Sequence, residues 1–402
     1  MKQIPYGRQH ITEEDIQAVV HTLQSDFLTQ GPKITEFEEA FAAYVGSKYA
    51  VAVSNGTAAL HLSALALDVK NGDNVITTPI TFAASANCIR YCGGNVVFSD
   101  IDPESYLLDV DKVRSLLESS PKGTYKGIVP VDFAGRAINM REIAELAKEH
   151  GLWIIEDACH APGGYFTDHD GTQRKCGSGQ LADLAIFSFH PVKHIASGEG
   201  GMITTNDHSL YKRLLMLRTH GITRESALFK NTKALALGEF EHMSSTAVGN
   251  WPGWYMEMQE LGYNYRLTDF QAALGLSQLK RADEGLRRRR EIARRYHESF
   301  IDTAFIKGQS RAVEGHAYHL YIIEIEDRIG LYNHLRTKNI FPQVHYIPCH
   351  LMPYYQEQGW KLGDFPVAEN YYSRCLSLPI YPTLSDADQC FVIETIKSYY
   401  NE

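Results

Sequence analysis

Short apolar runs alternate with amphipathic segments between residues 49 and 221, and this alternation restricts the chain to few folds. The apolar runs have the length of buried strands and cover residues 49–53, 75–78, 96–100, 127–131, 153–156 and 184–189. Helical patterns such as residues 111–117 and 140–148 lie between them. Strands joined by helices form a mostly parallel sheet that is covered on both faces. We therefore predict an α/β protein with a large, mostly parallel sheet flanked by helices.

The segments outside this alternation predict a second, smaller domain. Two amphipathic helices, residues 13–23 and 35–45, come before the sheet. Residues 225–260 break the rhythm, and their tryptophans and methionines suit a lid or a subunit contact. A long helix from Thr268 towards Phe300 then leads to a strand and two helices, at residues 320–325, 329–338 and 385–399. The predicted division is 1–267 for the large domain and 268–402 for the linking helix with a small α/β domain.

One lysine stands in an apolar, small-residue setting directly after a predicted strand. Lys193 ends the segment Ser188-Phe189-His190-Pro191-Val192-Lys193, and Gly198-Glu199-Gly200-Gly201 follows. Desolvation disfavours the ammonium form of lysine, and a neutral amine attacks carbonyl carbon. Lys193 is thus a candidate nucleophile. Taken alone, the segment more often places a lysine in solvent.

Two other strand ends carry groups that suit a charged ligand. Asp157 follows the apolar run 153–156, at the sheet edge where ligands of open parallel sheets gather. It could hold a positively charged ring nitrogen, or cap a helix instead. After residues 49–53 the chain turns through Asn55 and Gly56 into a helical pattern. Free amides and the helix dipole favour a phosphate there, although the same turn also occurs without a ligand.

A polar loop precedes the long helix. Gly262-Tyr263-Asn264-Tyr265-Arg266 leads to Thr268, which is a suitable N-cap residue. Functional polar groups often lie in such loops, so Asn264 and Arg266 are candidate ligand contacts. The alternative is a loop that only caps the helix.

Taken together, these segments resemble a known family. The motifs Gly56-Thr57-Ala58-Ala59-Leu60, Glu156-Asp157-Ala158-Cys159-His160, Ser188-Phe189-His190-x-x-Lys193, Glu199-Gly200-Gly201 and Gly262-Tyr263-Asn264-Tyr265-Arg266 occur in this order. In this they are similar to the DegT/DnrJ/EryC1/StrS family of nucleotide-sugar aminotransferases, which depend on pyridoxal 5′-phosphate (PLP). The resemblance runs from Ile4 to Pro382 and implies the fold type I aminotransferase architecture, with a large sheet domain and a smaller C-terminal domain.

The resemblance also implies roles for individual residues. Lys193 would carry PLP covalently and later move a proton, and Asp157 would keep the pyridine nitrogen protonated. The other implied cofactor contacts are Phe82 against the ring, His160 near the ring hydroxyl, Gly56, Thr57 and Ser188 at the phosphate, and Asn264 reaching the phosphate from the other subunit. This last contact would make the active sites of a homodimer shared.

The implied substrates are a nucleotide-linked keto sugar and L-glutamate as amino donor. The stretches at residues 28–32, 217–224 and 343–348 favour family members that act on a UDP-linked 4-keto-6-deoxy N-acetyl sugar. Candidate sugar-nucleotide contacts are Tyr6, Thr29, Gln30, Arg266, His345 and Tyr346. His345 could equally be a structural histidine.

Other functions remain open at this point. The same chemistry could act on another UDP- or dTDP-keto sugar. Related sugar dehydratases carry histidine in place of the lysine, so Lys193 argues against that class. A regulator or carbohydrate-binding protein could keep the fold without the chemistry, and the presence of both Lys193 and Asp157 argues against it.

Composition and charge indicate which partners and which cellular compartment suit this chain. A net charge of −9 disfavours nonspecific nucleic-acid binding, and no run approaches the ~20 apolar residues of a membrane span. The start of the chain lacks the apolar core of a signal peptide. Seven scattered cysteines suit reduced thiols in the cytoplasm and form no four-ligand zinc pattern, so no metal is expected. The arginine run 287–290 has glutamates nearby and is interpreted as a solvated, salt-bridged helix face.

Overall fold

The computed structural model describes residues 3–239 and 250–401. Its strands are β1 (Ile4–Pro5), β2 (Tyr49–Val53), β3 (Asn74–Thr77), β4 (Asn95–Phe98), β5 (Tyr125–Val129), β6 (Trp153–Asp157), β7 (Tyr165–Thr167), β8 (Gln173–Lys175), β9 (Leu184–Ser188), β10 (Gly201–Thr205), β11 (Ile222–Thr223), β12 (Glu257–Met258), β13 (Ile306–Gln309), β14 (Tyr321–Ile325), β15 (Ile340–Phe341) and β16 (Cys375–Leu378). Its α-helices are α1 (Glu13–Leu23), α2 (Pro32–Val45), α3 (Gly56–Ala66), α4 (Ala84–Tyr91), α5 (Val110–Glu118), α6 (Met140–His150), α7 (His208–Arg218), α8 (Lys233–Ala236), α9 (Asp269–Leu279), α10 (Ala282–Phe300), α11 (Arg328–Thr337), α12 (Pro353–Gln356), α13 (Pro366–Arg374) and α14 (Asp386–Asn401).

A seven-stranded sheet forms the centre of the large domain, in the order β2-β10-β9-β6-β5-β3-β4. All neighbours pair in parallel except β10, which runs antiparallel to both β2 and β9. The predicted α/β fold with a mostly parallel sheet is therefore confirmed. The predicted strands lie within two residues of the observed ones. The strand β10, whose five residues are all buried, was not predicted from the sequence.

The sheet is buried on both faces, as expected for parallel strands covered by helices. Val51, Ile128, Ile155, Ile186 and Ile203 are each fully buried within it. The chain leaves β6 at Asp157 and β9 at Ser188, and α3 begins three residues after β2. Three of the predicted functional segments thus lie at the carboxyl edge of one sheet, where ligands bind in such folds.

A second core lies in the C-terminal part of the chain. There β13, β14 and β16 form an antiparallel sheet. The helices α10, α11 and α14 contribute Tyr296, Leu331 and Val392 to its buried cluster. Ile4 belongs to the same cluster, because β1 pairs in parallel with β15. The first residues of the chain therefore contact the C-terminal part directly. The division at residues 267 and 268 stays a prediction.

The predicted single helix from Thr268 towards Phe300 is wrong in one respect. Thr268 does cap α9, with a capping box to Gln271, but the helix ends at Leu279 and α10 starts at Ala282. Between them, the Arg281 guanidinium bonds to the buried carboxylate of Asp15. Hydrophobic periodicity does not predict this break, because the contact between Arg281 and Asp15 joins segments that are far apart in the sequence.

The arginine run 287–290 is only partly solvated. Arg288 pairs with Asp386 at 2.7 Å, as the predicted salt-bridged face requires. Arg289 is 1% exposed and donates to three backbone carbonyls, those of Tyr318, His319 and Ile380. The interpretation of the whole run as a solvated face is therefore wrong for Arg289. Four consecutive residues span more than one helical turn, so one of them faces the core.

Part of the predicted insertion, residues 225–260, is described. Residues 222–223 pair with residues 257–258, which brings the two ends of the segment together. Phe229, Trp251 and Tyr255 pack as an aromatic cluster, with ring centroids 4.7–5.0 Å apart. Residues 240–249 lie outside the described part. Within that part, no helix is long and apolar enough to cross a membrane.

Candidate active site

A cavity of about 440 Å³ opens at the carboxyl edge of the large sheet. Most of the predicted site residues line it, namely Tyr6, Gly56, Thr57, Phe82, Asp157, His160, Ser188, Lys193, His345 and Tyr346. They come from the turns after β1, β2, β3, β6 and β9 and from one segment of the C-terminal part, residues 345–346. The fold therefore brings together residues that are far apart in the sequence.

Lys193 forms part of the cavity wall. Its backbone N–H donates to the carbonyl of His190 at 2.8 Å, in the turn that follows β9. The side chain is half-buried, and burial lowers the pKa of its amine. The acidic neighbours Cys159 and Asp157 oppose this shift. Lowering the pKa raises the fraction of neutral amine, which is the nucleophilic form.

The carboxylate of Asp157 is fixed by two hydrogen bonds. The Ser85 hydroxyl donates to its Oδ2 at 2.6 Å, and the backbone N–H of Cys159 donates to its Oδ1 at 3.1 Å. Thr81 Oγ1 lies 2.7 Å from Ser85 Oγ and extends this network. Asp157 is 5% exposed, so its charge is largely shielded from water. This geometry can hold a cationic group of a ligand in one place.

The start of α3 forms a close-packed anion cradle. Asn55 caps the helix by accepting from the backbone N–H of Ala58 at 2.8 Å. The first amides of a helix have no intrahelical acceptor, and the dipole favours negative charge there. A Cβ added to Gly56 would lie 3.0 Å from the Cβ of Ser188 and 3.3 Å from its hydroxyl oxygen. Glycine at position 56 therefore lets the helix start pack closely against Ser188, which brings the free amides and the Ser188 hydroxyl to one place.

Phe82 faces the cavity as an open aromatic surface. The side chain is 63% exposed, whereas phenylalanine is usually buried in folded proteins. Its ring centroid lies 6.2 Å from that of Tyr346. An exposed ring in a cavity wall offers a face for stacking against a planar ligand.

His160 is held in one tautomer. Its Nδ1 accepts from the backbone N–H of Ala134 at 3.2 Å, which leaves the ring proton on Nε2. This Nε2 lies 3.3 Å from the hydroxyl of Tyr346. Burial lowers the pKa of His160 well below its usual range, and the positive charge of Lys193 adds to the effect. The ring is therefore neutral and presents a donor.

His345 and Tyr6 form a further part of the wall. His345 Nδ1 lies 2.8 Å from Ser377 Oγ, and its ring centroid lies 5.0 Å from that of Tyr6. Burial lowers the pKa of His345 to about 3, so the ring is neutral at physiological pH. The hydroxyl of Tyr371 donates to its carbonyl at 2.6 Å. His345 thus has structural partners and also lines the cavity.

Four predicted residues do not line this cavity in the described chain: Thr29, Gln30, Asn264 and Arg266. Thr29 forms a bridge with Thr268, Asn264 with Thr219, and Arg266 with Val53. Thr29, Gln30 and Asn264 are exposed. A single chain therefore leaves their predicted ligand contacts untested.

The fold also brings to the cavity, or against its residues, two side chains that were not predicted from the sequence, Ser85 and His319. Ser85 holds Asp157, and its position one turn after Phe82, near the carboxyl end of β3, could have indicated it. His319 lines the cavity and lies 4.2 Å from His160 between ring centroids. It comes from the segment before β14, and no local pattern indicates that this segment returns to the sheet edge.

Comparisons with known proteins agree with this geometry. The chain matches the DegT/DnrJ/EryC1/StrS aminotransferase family over residues 9–397. It is 40% identical over 407 residues to the spore coat polysaccharide biosynthesis protein SpsC of Bacillus subtilis, covering 98% of this chain and 96% of the relative. It is 35% identical over 407 residues to UDP-4-amino-4,6-dideoxy-N-acetyl-beta-L-altrosamine transaminase of Campylobacter jejuni, covering 98% and 97%.

Solved structures show the same likeness over nearly the whole chain. Helicobacter pylori PseC, an aminotransferase involved in the biosynthesis of pseudoaminic acid, matches with a TM-score of 0.84 and 28% identity, covering 100% of both chains. A sugar aminotransferase of Streptococcus pneumoniae in its PLP form matches with a TM-score of 0.83 and 29% identity, covering 99% of this chain and 98% of the other.

Fold and site together define a PLP-dependent aminotransferase of fold type I. The chain belongs to the DegT/DnrJ/EryC1/StrS aminotransferase family. The expected family and cofactor are thus confirmed.

The cavity also fits PLP by its own chemistry. The start of α3, packed closely against Ser188 at Gly56, suits the phosphate. The open ring of Phe82 suits the planar pyridine, and the fixed carboxylate of Asp157 suits its protonated nitrogen. Lys193, with its lowered pKa, suits the aldehyde.

Proposed function

We propose that this enzyme transfers an amino group from L-glutamate to C4 of a UDP-linked 4-keto-6-deoxy-N-acetylhexosamine. The product would be UDP-4-amino-4,6-dideoxy-N-acetyl-β-L-altrosamine, for pseudaminic acid biosynthesis. The convergence of Lys193 and Asp157 on one cavity carries the reaction class. The 35% identity to the Campylobacter jejuni transaminase supports the substrate.

In this proposal PLP supplies the aldehyde that condenses with amines and the ring that accepts electrons. Lys193 attaches the cofactor through its side-chain amine. The same amine would serve as the base that moves one proton at the substrate carbon. Asp157 keeps the proton on the pyridine nitrogen, and Ser85 keeps the carboxylate aimed there.

The remaining side chains bind and orient. The helix start at Gly56 and Thr57, with the Ser188 hydroxyl, binds the cofactor phosphate. Phe82 would stack on the cofactor ring, and the Nε2–H of His160 would serve as a donor near the ring hydroxyl. Tyr6, His345 and Tyr346 contact the sugar nucleotide, since they line the same cavity.

One exposed loop residue, Asn264, acts across subunits in this proposal. Asn264 of the partner subunit reaches the phosphate in a homodimer with shared sites. Thr29, Gln30 and Arg266 contact the sugar nucleotide; arginine suits a diphosphate. The reaction would take place in the cytoplasm, where the seven free cysteines suit a reducing compartment.

A second substrate has support of its own. The Bacillus subtilis relative is more similar to this chain, at 40% identity, and its name places it in spore coat polysaccharide biosynthesis. The same residues would then aminate another UDP- or dTDP-linked keto sugar.

A substrate panel separates the two proposals. Purified enzyme with PLP and glutamate is incubated with UDP- and dTDP-linked keto sugars, and amine incorporation is followed by mass spectrometry of the nucleotide sugars. We expect the highest kcat/KM for the UDP-linked 4-keto-6-deoxy-N-acetyl sugar, with NMR showing the new amine at C4. Preference for another keto sugar by about tenfold, or 1.4 kcal/mol, would favour the second substrate. Lys193→Ala serves as the inactive control.

A further inference from the structure

Three buried polar side chains lie together outside the cavity, beside the strand that carries Asp157. Asp132, Glu156 and Cys176 are 0%, 4% and 3% exposed. One oxygen or sulfur atom of each lies within 4.8 Å of the others. Consecutive strand residues point to opposite faces, so Glu156 points away from the cavity that Asp157 lines.

Backbone hydrogen bonds link this group to Asp157. The N–H of Asp132 donates to the carbonyl of Asp157 at 3.0 Å. Asp132 Oδ1 accepts from the N–H of Ile138 at 2.9 Å, and Glu156 Oε1 accepts from the N–H of Gly177 at 2.8 Å. Both carboxyl groups are therefore anchored, and moving either one would disturb the strand end that holds Asp157.

The second oxygen of Asp132 lacks a donor. Among the described residues, Oδ2 is buried and has no hydrogen-bond partner. Besides burial, the negative charge of Asp157 raises the pKa of both carboxyls, whereas a hydrogen bond with the Cys176 thiol lowers the pKa of Asp132. The adjacent strand β9 contributes no ionisable side chain. Two bare carboxylates in such a place repel each other. One proton on Glu156 would remove the repulsion and give Oδ2 a donor.

The pKa shifts agree with a single shared proton. Burial raises the pKa of Glu156 well above its usual range, and the neighbouring Asp132 raises it further. Burial also raises the pKa of Asp132 to about 6, so Asp132 is the stronger acid of the two. Between the two pKa values the pair holds one proton and one negative charge.

We propose that Asp132 and Glu156 share one proton and act as positioning residues for Asp157, behind which they hold a single fixed negative charge. This charge favours a cation on the cavity side of Asp157, and the protonated ring nitrogen of PLP is such a cation. The anchored backbone keeps the Asp157 carboxylate aimed at it.

Two matched variants test the charge. Glu156→Gln replaces the protonated carboxyl of Glu156 with an amide, which is also neutral and also a hydrogen-bond donor. Asp132→Asn instead removes the negative charge of the Asp132 carboxylate. The readout is the pH midpoint of the visible absorption change of the PLP-loaded enzyme. We expect Glu156→Gln to keep the wild-type midpoint. Asp132→Asn should move it to lower pH by about half a unit or more, because a nearby negative charge stabilises protonated groups.

A second readout uses the apoprotein. The pKa of Glu156 is raised in the folded state, so the wild type loses stability as the pH rises towards that value. Glutamine cannot ionise, so the melting temperature of Glu156→Gln should rise relative to wild type as the pH increases above the ordinary pKa of a glutamate side chain. The infrared band of a protonated carboxylic acid should be present in the wild type and reduced in this variant.

Three results would overturn the proposal. The first is a Glu156→Gln midpoint that shifts as far as that of Asp132→Asn. The second is a melting-temperature difference that does not grow with pH. The third is a stoichiometric metal ion in purified wild type that is absent from Glu156→Gln, since two carboxylates and a thiol also suit a metal.

Discussion

At the scale of single residues, the amine of Lys193 has two roles in the proposed mechanism. It anchors the cofactor and moves the proton, so Lys193→Ala should lower turnover by more than the ~10²–10⁴-fold that proton transfer alone contributes. Borohydride reduction of the wild type, followed by peptide mass spectrometry, should place the pyridoxyl group on Lys193. A label on another lysine would contradict the assignment.

Asp157 is the second residue whose role depends on charge. Asp157→Asn keeps the shape and can still accept from Ser85, which donates to the carboxylate at 2.6 Å. It cannot stabilise a protonated pyridine by charge, so turnover should fall by about 10²–10³-fold while PLP still binds. Single-turnover kinetics and a PLP titration measure the two effects separately. Near-normal turnover with cofactor bound would exclude the proposed role.

At the scale of elements, the close packing of the start of α3 against Ser188 leads to a prediction about cofactor binding. A Cβ on Gly56 would lie 3.0 Å from Ser188 Cβ, within the cradle assigned to the phosphate. Gly56→Ala should therefore weaken PLP binding by about tenfold, equivalent to 1.4 kcal/mol, in an equilibrium titration. Gly253→Ala is the matched control, because nothing lies within 4 Å of its added Cβ. Equal affinities in the two variants would show that the cradle does not hold the phosphate.

The elements also show what sequence can predict and why. Strands such as β6 and β9 follow from apolar runs of strand length, and Asp157 and Lys193 follow from their positions after those runs. Strand direction is different: β10 lies between β2 and β9 and runs against both, which local pattern does not encode. Ser85 and His319 reach the cavity through tertiary packing alone. Local sequence patterns therefore do not predict strand direction or site residues that depend on contacts between distant segments.

At the scale of the whole molecule, one chain leaves apolar surface near the loop of Asn264. Trp254, Met258 and Leu261 lie close together in the sequence and are 73%, 66% and 76% exposed. Asn264 itself is exposed. These observations support a homodimer in which this loop completes the active site of the partner.

Mixed dimers test this sharing directly. Lys193→Ala and Asn264→Asp should each be inactive, the second because a like charge would face the cofactor phosphate. Loss of the neutral hydrogen bond alone should cost about 1.5–3 kcal/mol of PLP affinity. With sites shared between subunits, a mixed dimer of the two variants carries one site with both lesions and one with neither. Activity should therefore return on mixing, towards half of wild type per mixed dimer. If the subunits exchange and activity stays absent, each chain builds its site alone and Asn264 has another role.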